Sequence, residues 1–320
     1  MLRAFFIYLS KAEWAKRLVT NWSFAWRFAR RFIAGEKLED AINVVRELNL
    51  RGINATLDHL GEYTTKKADA VRAAQDIIEI LDAIEAAQVR SGVSLKLSQI
   101  GLELDEELCA EGLRNILARA RQYGNFVRID MEDSSTVDAT LRIYQQMRNK
   151  YGFDNVGVVI QAYLYRSEAD IQELLRSETK VRLCKGAYKE PPEIAFPKKQ
   201  DVDANYDKLS RMILDATKEH RFLPPSLDGR IPPLPALATH DEKRIEFAKV
   251  YARQVQLDNN ALEFQMLYGI RRDLQYQLIQ DGYSVRVYVP YGTQWYPYFM
   301  RRLAERPANV WFFFSNIFRE

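Results

Sequence analysis

Two arginines stand side by side, Arg301 and Arg302, a short aromatic link after Tyr288-Val-Pro-Tyr-Gly. A guanidinium donates two parallel hydrogen bonds from a planar fork, so it suits a carboxylate better than any other side chain. A β-branched run from Val285 to Val289, a Pro-x-Gly turn and a helical segment lead to the pair. That reading puts both arginines at the turn-proximal end of a helix. Two forks beside an aromatic turn suggest a pocket for a small carboxylate. The plainer alternative is a solvated helix face with Arg301 paired to Glu305 at i+4. The place of this segment, after the last of eight strand candidates, favours the pocket.

Those strand candidates set the architecture. Apolar or β-branched runs at 53–60, 93–98, 126–131, 156–162, 180–186, 236–240, 261–266 and 284–289 alternate with helix-periodic segments. The helices are expected near 67–90, 105–122, 134–150, 167–177, 202–221, 241–254, 271–281 and 295–306. Asp105, Ser134 or Ser135, and Ser167 are the expected helix caps. Strand then helix, eight times, predicts an α/β chain closed into a (β/α)8 barrel. A further helix at 38–50 is expected to plug or cover the barrel bottom. No GxGxxG and no GxxxxGK[ST] occurs, which disfavours a doubly wound nucleotide-binding sheet.

In such barrels chemistry sits at the C-terminal strand ends. Polar residues gather there: Lys96, Asp130, Glu132, Asp133, Gln161, Arg182, Lys185, Thr239, His240, Glu263, Gln265 and Tyr288. Polar groups within apolar runs cost free energy unless partnered, and packing explains one more readily than a set across seven strands. Glu132 and Asp133 have a simpler reading as caps of the next helix. Cys184 reads as an outward residue against a helix, and His59 and His220 as structural or exposed. The loop at 187–201 follows a strand and is a lid candidate on the top face. The segment at 222–235 holds five of the eleven prolines and reads as a stiff loop on the bottom face.

With 47% hydrophobic and 28% charged residues, the 320-residue chain is an ordinary globular one. Its net charge of +3 is too small to argue for nucleic acid. Residues 1–35 carry +6 and the remainder −3. Cys109 and Cys184 have no metal spacing, the three histidines form no HExxH, and no metal is expected. The cysteine usage fits a reducing cytosol. No apolar stretch reaches the ~20 residues a membrane span needs. The start faintly suggests a signal peptide, but it lacks a cleavage site, and export is not expected.

The strand-end motifs, taken together, resemble the proline dehydrogenases, specifically the monofunctional bacterial type. They are Leu60-Gly61-Glu62, Ser94-Leu-Lys96-Leu-Ser, Arg128-Ile-Asp130-Met-Glu-Asp133, Gln161-Ala-Tyr-Leu-Tyr-Arg166 and Val181-Arg182-Leu-Cys-Lys185-Gly186-Ala187-Tyr188. Ala238-Thr239-His240-Asp241, Glu263-Phe-Gln-Met-Leu267-Tyr-Gly269 and the Tyr288 and Arg301-Arg302 segment complete the series. Each is weak alone; eight in the family's order are specific. The resemblance implies a distorted (β/α)8 barrel at 38–307, between an N-terminal helical arm at 1–37 and a hydrophobic tail at 308–320. It implies non-covalent FAD and oxidation of L-proline to Δ1-pyrroline-5-carboxylate, with electrons passed to a membrane quinone. The next step of the pathway would fall to a separate pyrroline-5-carboxylate dehydrogenase.

Site roles follow from the same resemblance. Arg301, Arg302 and Lys96 would hold the substrate carboxylate, with Tyr288 packed against an arginine of that clamp. Tyr188 and Leu267 would shape the ring pocket. Glu62 would pair with Arg301 as a gate. Arg182 would lie beside the flavin's reactive edge, and Met131, Gln161, Lys185, Gly186, Ala187, Thr239 and His240 would contact FAD. Asp130 would belong to the inner charge network near Lys96.

The residue types suit this chemistry independently. A zwitterionic substrate needs its carboxylate neutralised, and a dry site strengthens charge-assisted bonds. Solvent or Asp130 would take the ammonium proton. Two rivals stay open: another FAD barrel of the folate-reductase type, and a non-catalytic, membrane-associated barrel scaffold. The basic, aromatic arm could pack on the barrel, on another subunit of a homo-oligomer, or in a lipid interface. The expected location is the cytoplasm, with peripheral contact at the inner membrane face left open.

Overall fold

The computed structural model describes residues 23–61, 63–220 and 228–305, with Leu9, Ala12, Trp14 and Ser226. Expectations for most of the arm, for Glu62, for Pro224 and Pro225, and for the tail lie outside these residues.

Helix α1 (Ser23–Ala29) and helix α2 (Leu38–Leu50) precede the first strand. Then strand and helix alternate: β1 (Asn54–His59), α3 (Lys67–Ala87), β2 (Ser91–Leu95), α4 (Glu106–Gln122), β3 (Val127–Ile129), α5 (Val137–Gln145) and β4 (Val156–Gln161). The second half holds α6 (Ser167–Arg176), β5 (Val181–Cys184), α7 (Lys199–His220), β6 (Pro235–Ala238), α8 (Glu242–Gln254), β7 (Glu263–Leu267), α9 (Arg272–Gln280), β8 (Ser284–Tyr291) and α10 (Trp295–Glu305). All eight strands pair in parallel and in order, and β1 closes on β8 with Thr56 opposite Tyr288. The expected barrel is the observed one.

Alternation in the strands builds it. Leu57, Val93, Val127, Val158, Leu183, Phe264 and Val287 are buried between sheet and helices. Asp105 caps α4 as expected, accepting from the amides of Glu107 and Leu108. The other two caps differ. The side chain of Ser134 bonds Glu190 instead, and that of Ser167, already inside α6, donates back to the carbonyl of Leu164.

Two helices depart from expectation, and together they make the site. Helix α2 does not plug the bottom. It packs on β1, β8 and α3, burying Ala41, Ile42 and Val45, and so fills the wall position between first and last strands. Helix α10 is thereby left to a separate apolar cluster of Phe32, Ile33, Leu60, Ile270, Trp295, Phe299 and Leu303. Its Tyr298, Arg301 and Arg302 meet Lys96, Leu267 and Tyr288 around one cavity, so the helix lies on the barrel mouth. Phe299 is fully buried, and truncation to Ala would cost about 3–5 kcal/mol.

The bottom is closed by the described part of the proline-rich segment. Gly229 lies against Asn54, and its carbonyl accepts from Arg286 at 2.8 Å. Arg230 ties the same turn to Glu85 at 2.6 Å and to the carbonyl of Tyr123 at 3.1 Å.

Candidate active site

Inside the barrel most strands present polar side chains, while β4 and β6 present Val159 and Ala238. Arg182 of β5 is the hub. It donates to Asp130 at 2.8 Å, to Ser94 at 3.1 Å and to Gln265. Asp130 also accepts from the Tyr288 hydroxyl at 2.7 Å and lies 3.9 Å from the Lys96 ammonium. Lys96 in turn pairs with Asp58 at 3.2 Å. Ionised groups so far from water are tolerable only as partners of one another.

The electrostatics follow from burial. Asp58 is 1% exposed, and loss of water pushes its carboxyl up; Lys96 opposes this and Asp130 adds to it. Burial alone would pull the Lys96 ammonium down, but Asp58 and Asp130 overcome that, and the net shift is upward. Lys96 is a firm cation. Burial, then Asp130, holds the Tyr288 phenol protonated as a donor. Burial and the nearby Glu132 push Tyr188 up to about 12, against the pull of Lys96 and Arg301.

Above this network lies a cavity of about 590 Å³, within the range of small-molecule and cofactor sites. Lys96, Asp130, Arg182, Tyr288 and Arg302 line one part of it. Met131, Gln161, Lys185, Gly186, Ala187, Thr239 and His240 line the rest. A neighbouring space of about 180 Å³, which shares walls with the first, is bounded by Asp58, Lys96, Tyr188, Leu267, Tyr288, Tyr298, Arg301 and Arg302. Every residue given a substrate or cofactor role except Glu62 therefore borders one or both of two neighbouring cavities, and Glu62 lies outside the described residues.

Local structure explains their placement. Gly186 has φ +106°, and a Cβ there would fall 2.2 Å from the Tyr163 ring, so only glycine fits. The Lys185 ammonium is held by Asp203 of α7 and by Asp241, the cap of α8, at 2.6 Å. His240 accepts the Leu267 amide at its Nε2, 3.0 Å away, joining the ends of β6 and β7. The amide oxygen of Gln161 is buried without a partner among the described residues.

Several expectations are corrected. Arg301 and Arg302 sit well inside α10, because the aromatic link is itself helical from Trp295. Tyr288 carries Arg182 over its ring at 5.6 Å, while Arg302 stacks on Tyr298 at 5.1 Å. Cys184 faces inward and lines the cavity, because Arg182 sets the inward phase of β5 and Leu183 takes the outward one. Glu132 does not cap a helix: it is 3% exposed and accepts from the amide and hydroxyl of Ser98 at 3.1 and 2.6 Å. Asp133 keeps the local role, accepting from the Ser135 amide at 3.1 Å. Glu263 lies at the bottom end of β7, paired with Arg286 at 2.9 Å. Sequence reading missed Asp58, although it shares the inward phase of β1 with Thr56, and it missed Tyr298 and Glu190.

Comparison with known proteins agrees with this geometry. Residues 41–313 match the family described as proline dehydrogenase. The chain is 42% identical to proline dehydrogenase 1 of Bacillus subtilis (strain 168) over 324 residues, covering 100% of each chain. It is 42% identical to the proline dehydrogenase of Deinococcus radiodurans over 290 residues, covering 90% of this chain and 89% of that one. Among solved structures it is similar to proline utilization A (PutA) from Bdellovibrio bacteriovorus inactivated by N-propargylglycine. That match has a TM-score of 0.78 at 26% identity, over 88% of this chain and 33% of the longer one.

Proposed function

Since this chain belongs to the proline dehydrogenase family of oxidoreductases, we propose that it oxidises L-proline to Δ1-pyrroline-5-carboxylate on FAD bound at the barrel mouth. The observation that carries this reading is the convergence of Lys96, Tyr288 and Arg302 on one end of a large cavity. Lys96, Arg301 and Arg302 take the substrate carboxylate through charge-assisted bonds, which are the strong ones in a dry site. Tyr188 and Leu267 flank the ring, and Tyr298 steadies Arg302 from the side.

The rest of the cavity fits FAD. Its volume suits a cofactor, the orphaned Gln161 oxygen needs a donor, and the side-chain-free Gly186 admits close approach. Met131, Gln161, Lys185, Gly186, Ala187, Thr239 and His240 would hold the group. When bound, FAD supplies the two-electron acceptor, whose electrons pass to a membrane quinone. Arg182 would set a positive charge beside it, and such charge stabilises developing negative charge. Asp130 fixes Arg182 and Tyr288 in place. Both oxygens of Asp130 are engaged, by Arg182 and by Tyr288, and the ammonium proton passes to solvent or to Asp130. A separate dehydrogenase consumes the product. Among the described residues no helix is long and apolar enough to cross a membrane. Contact with a quinone-bearing bilayer would be peripheral.

An anaerobic visible spectrum before and after L-proline tests this. A flavin spectrum that bleaches is expected. A flavin that bleaches with NADH but not with proline would favour the folate-reductase alternative, and lipid binding without flavin would favour a scaffold.

A further inference from the structure

The loop after β5 carries Tyr188 into the site, and one acidic residue two positions on holds that loop down. Glu190 accepts from the backbone amide of Ser134 at 2.8 Å and from the Ser134 hydroxyl at 2.5 Å. The Tyr163 hydroxyl reaches the same carboxylate at 3.5 Å. Ser134 follows β3 and Tyr163 follows β4, so a single side chain gathers three mouth loops. Further along, the loop is strapped again. The Tyr165 amide donates to the Ile194 carbonyl at 3.0 Å, and the Phe196 amide to the Tyr163 carbonyl at 2.8 Å. The segment is thus hydrogen-bonded to the loops after β3 and β4 along its length.

We infer that Glu190 is a positioning residue for substrate binding, acting through Tyr188. An extended chain advances roughly 3.5 Å per residue, so anchoring Glu190 confines Tyr188 to within about 7 Å of a fixed point. Tyr188 needs that anchor, since it borders both spaces of the site yet is 36% exposed and only partly held by packing. A carboxylate suits the task, because its two oxygens meet two donors of one residue. Glutamine could keep both bonds, accepting from the amide and donating to the hydroxyl.

The inference rests on the proline-binding reading above, and the experiment separates the two. On FAD-loaded protein, proline KM and kcat are measured for the wild type, Glu190→Ala, Glu190→Gln, Tyr188→Ala and Glu190→Ala/Tyr188→Ala. Glu190→Ala should raise KM about tenfold, the loss expected for one well-placed hydrogen bond, with a smaller change in kcat. Glu190→Gln should recover most of it. The double variant should match Tyr188→Ala alone, because residues that act as a unit do not add. Unchanged KM in Glu190→Ala, or losses that multiply in the double variant, would overturn the inference. If Glu190→Ala fails to fold, Ser134→Ala removes one of the two bonds. It must then raise KM in the wild-type background and not in the Tyr188→Ala background, or the inference falls. A wild type that does not oxidise proline would instead sink the functional reading itself.

Discussion

The Tyr288 hydroxyl donates to Asp130 at 2.7 Å, joining β8 to the end of β3 across the barrel mouth. The bond ties the substrate end of the cavity to the Arg182 hub. Tyr288→Phe removes it and leaves a buried carboxylate oxygen short of a donor. A loss of about 1–3 kcal/mol is expected, read as a lower urea midpoint with unchanged slope. An unaltered midpoint would show that the phenol contributes nothing to the network.

Replacing Arg301 or Arg302 with Met should weaken proline binding while FAD stays bound. A charge-assisted bond contributes about 1.5–3 kcal/mol, so KM should rise roughly ten- to a hundredfold. Steady-state kinetics with flavin occupancy from the visible spectrum checks both halves. Proline KM at the wild-type value in both variants would remove the clamp.

Gly186→Ala should damage the cofactor end. The new Cβ meets the Tyr163 ring at 2.2 Å, and φ +106° is strained for any L side chain. Either the loop shifts or Tyr163 leaves its place. The expected readout is loss of flavin on gel filtration, with proline affinity of the remaining holoenzyme less affected. Full flavin retention would mean the loop does not approach the cofactor.

Lys180 predicts an alkaline effect. Burial, then the neighbouring Arg128, pulls its ammonium down to about 8 from an ordinary 10.5. Between those values the unfolded chain binds more protons than the folded one, so stability rises as pH rises through the window. Below pH 8 the penalty is fully present. Lys180→Met should therefore be more stable relative to wild type at pH 7.5 than at pH 10. Denaturation midpoints of the two proteins across that range test it; a difference independent of pH would refute it.

What the sequence reveals and what it conceals divide along contact distance. The strands were legible because alternation is local, and Asp105 was legible as a cap because its amides lie two and three residues on. Ser134 and Glu132 were misread because their partners, Glu190 and Ser98, are 56 and 34 residues away. The cavity residues could be gathered because a barrel brings all strand ends to one face, whatever their spacing. Helix α10 was legible as a helix, yet its seat on the mouth was not. An apolar face declares that it will be buried, not against what. The cluster of α10 is separate from the one that α2 joins.

The exchange of those two helices also bears on how the chain assembles. The seam between β1 and β8 joins opposite ends of the sequence, and α2, made early, packs across it. Loop closure over so long a stretch carries a large entropy, and contacts of this separation slow folding. During synthesis α2 can pack on β1 and α3 early, but the seam it covers closes only when β8 emerges. The segment translated next, α10, completes the mouth, so the site forms only after all eight strands have been made.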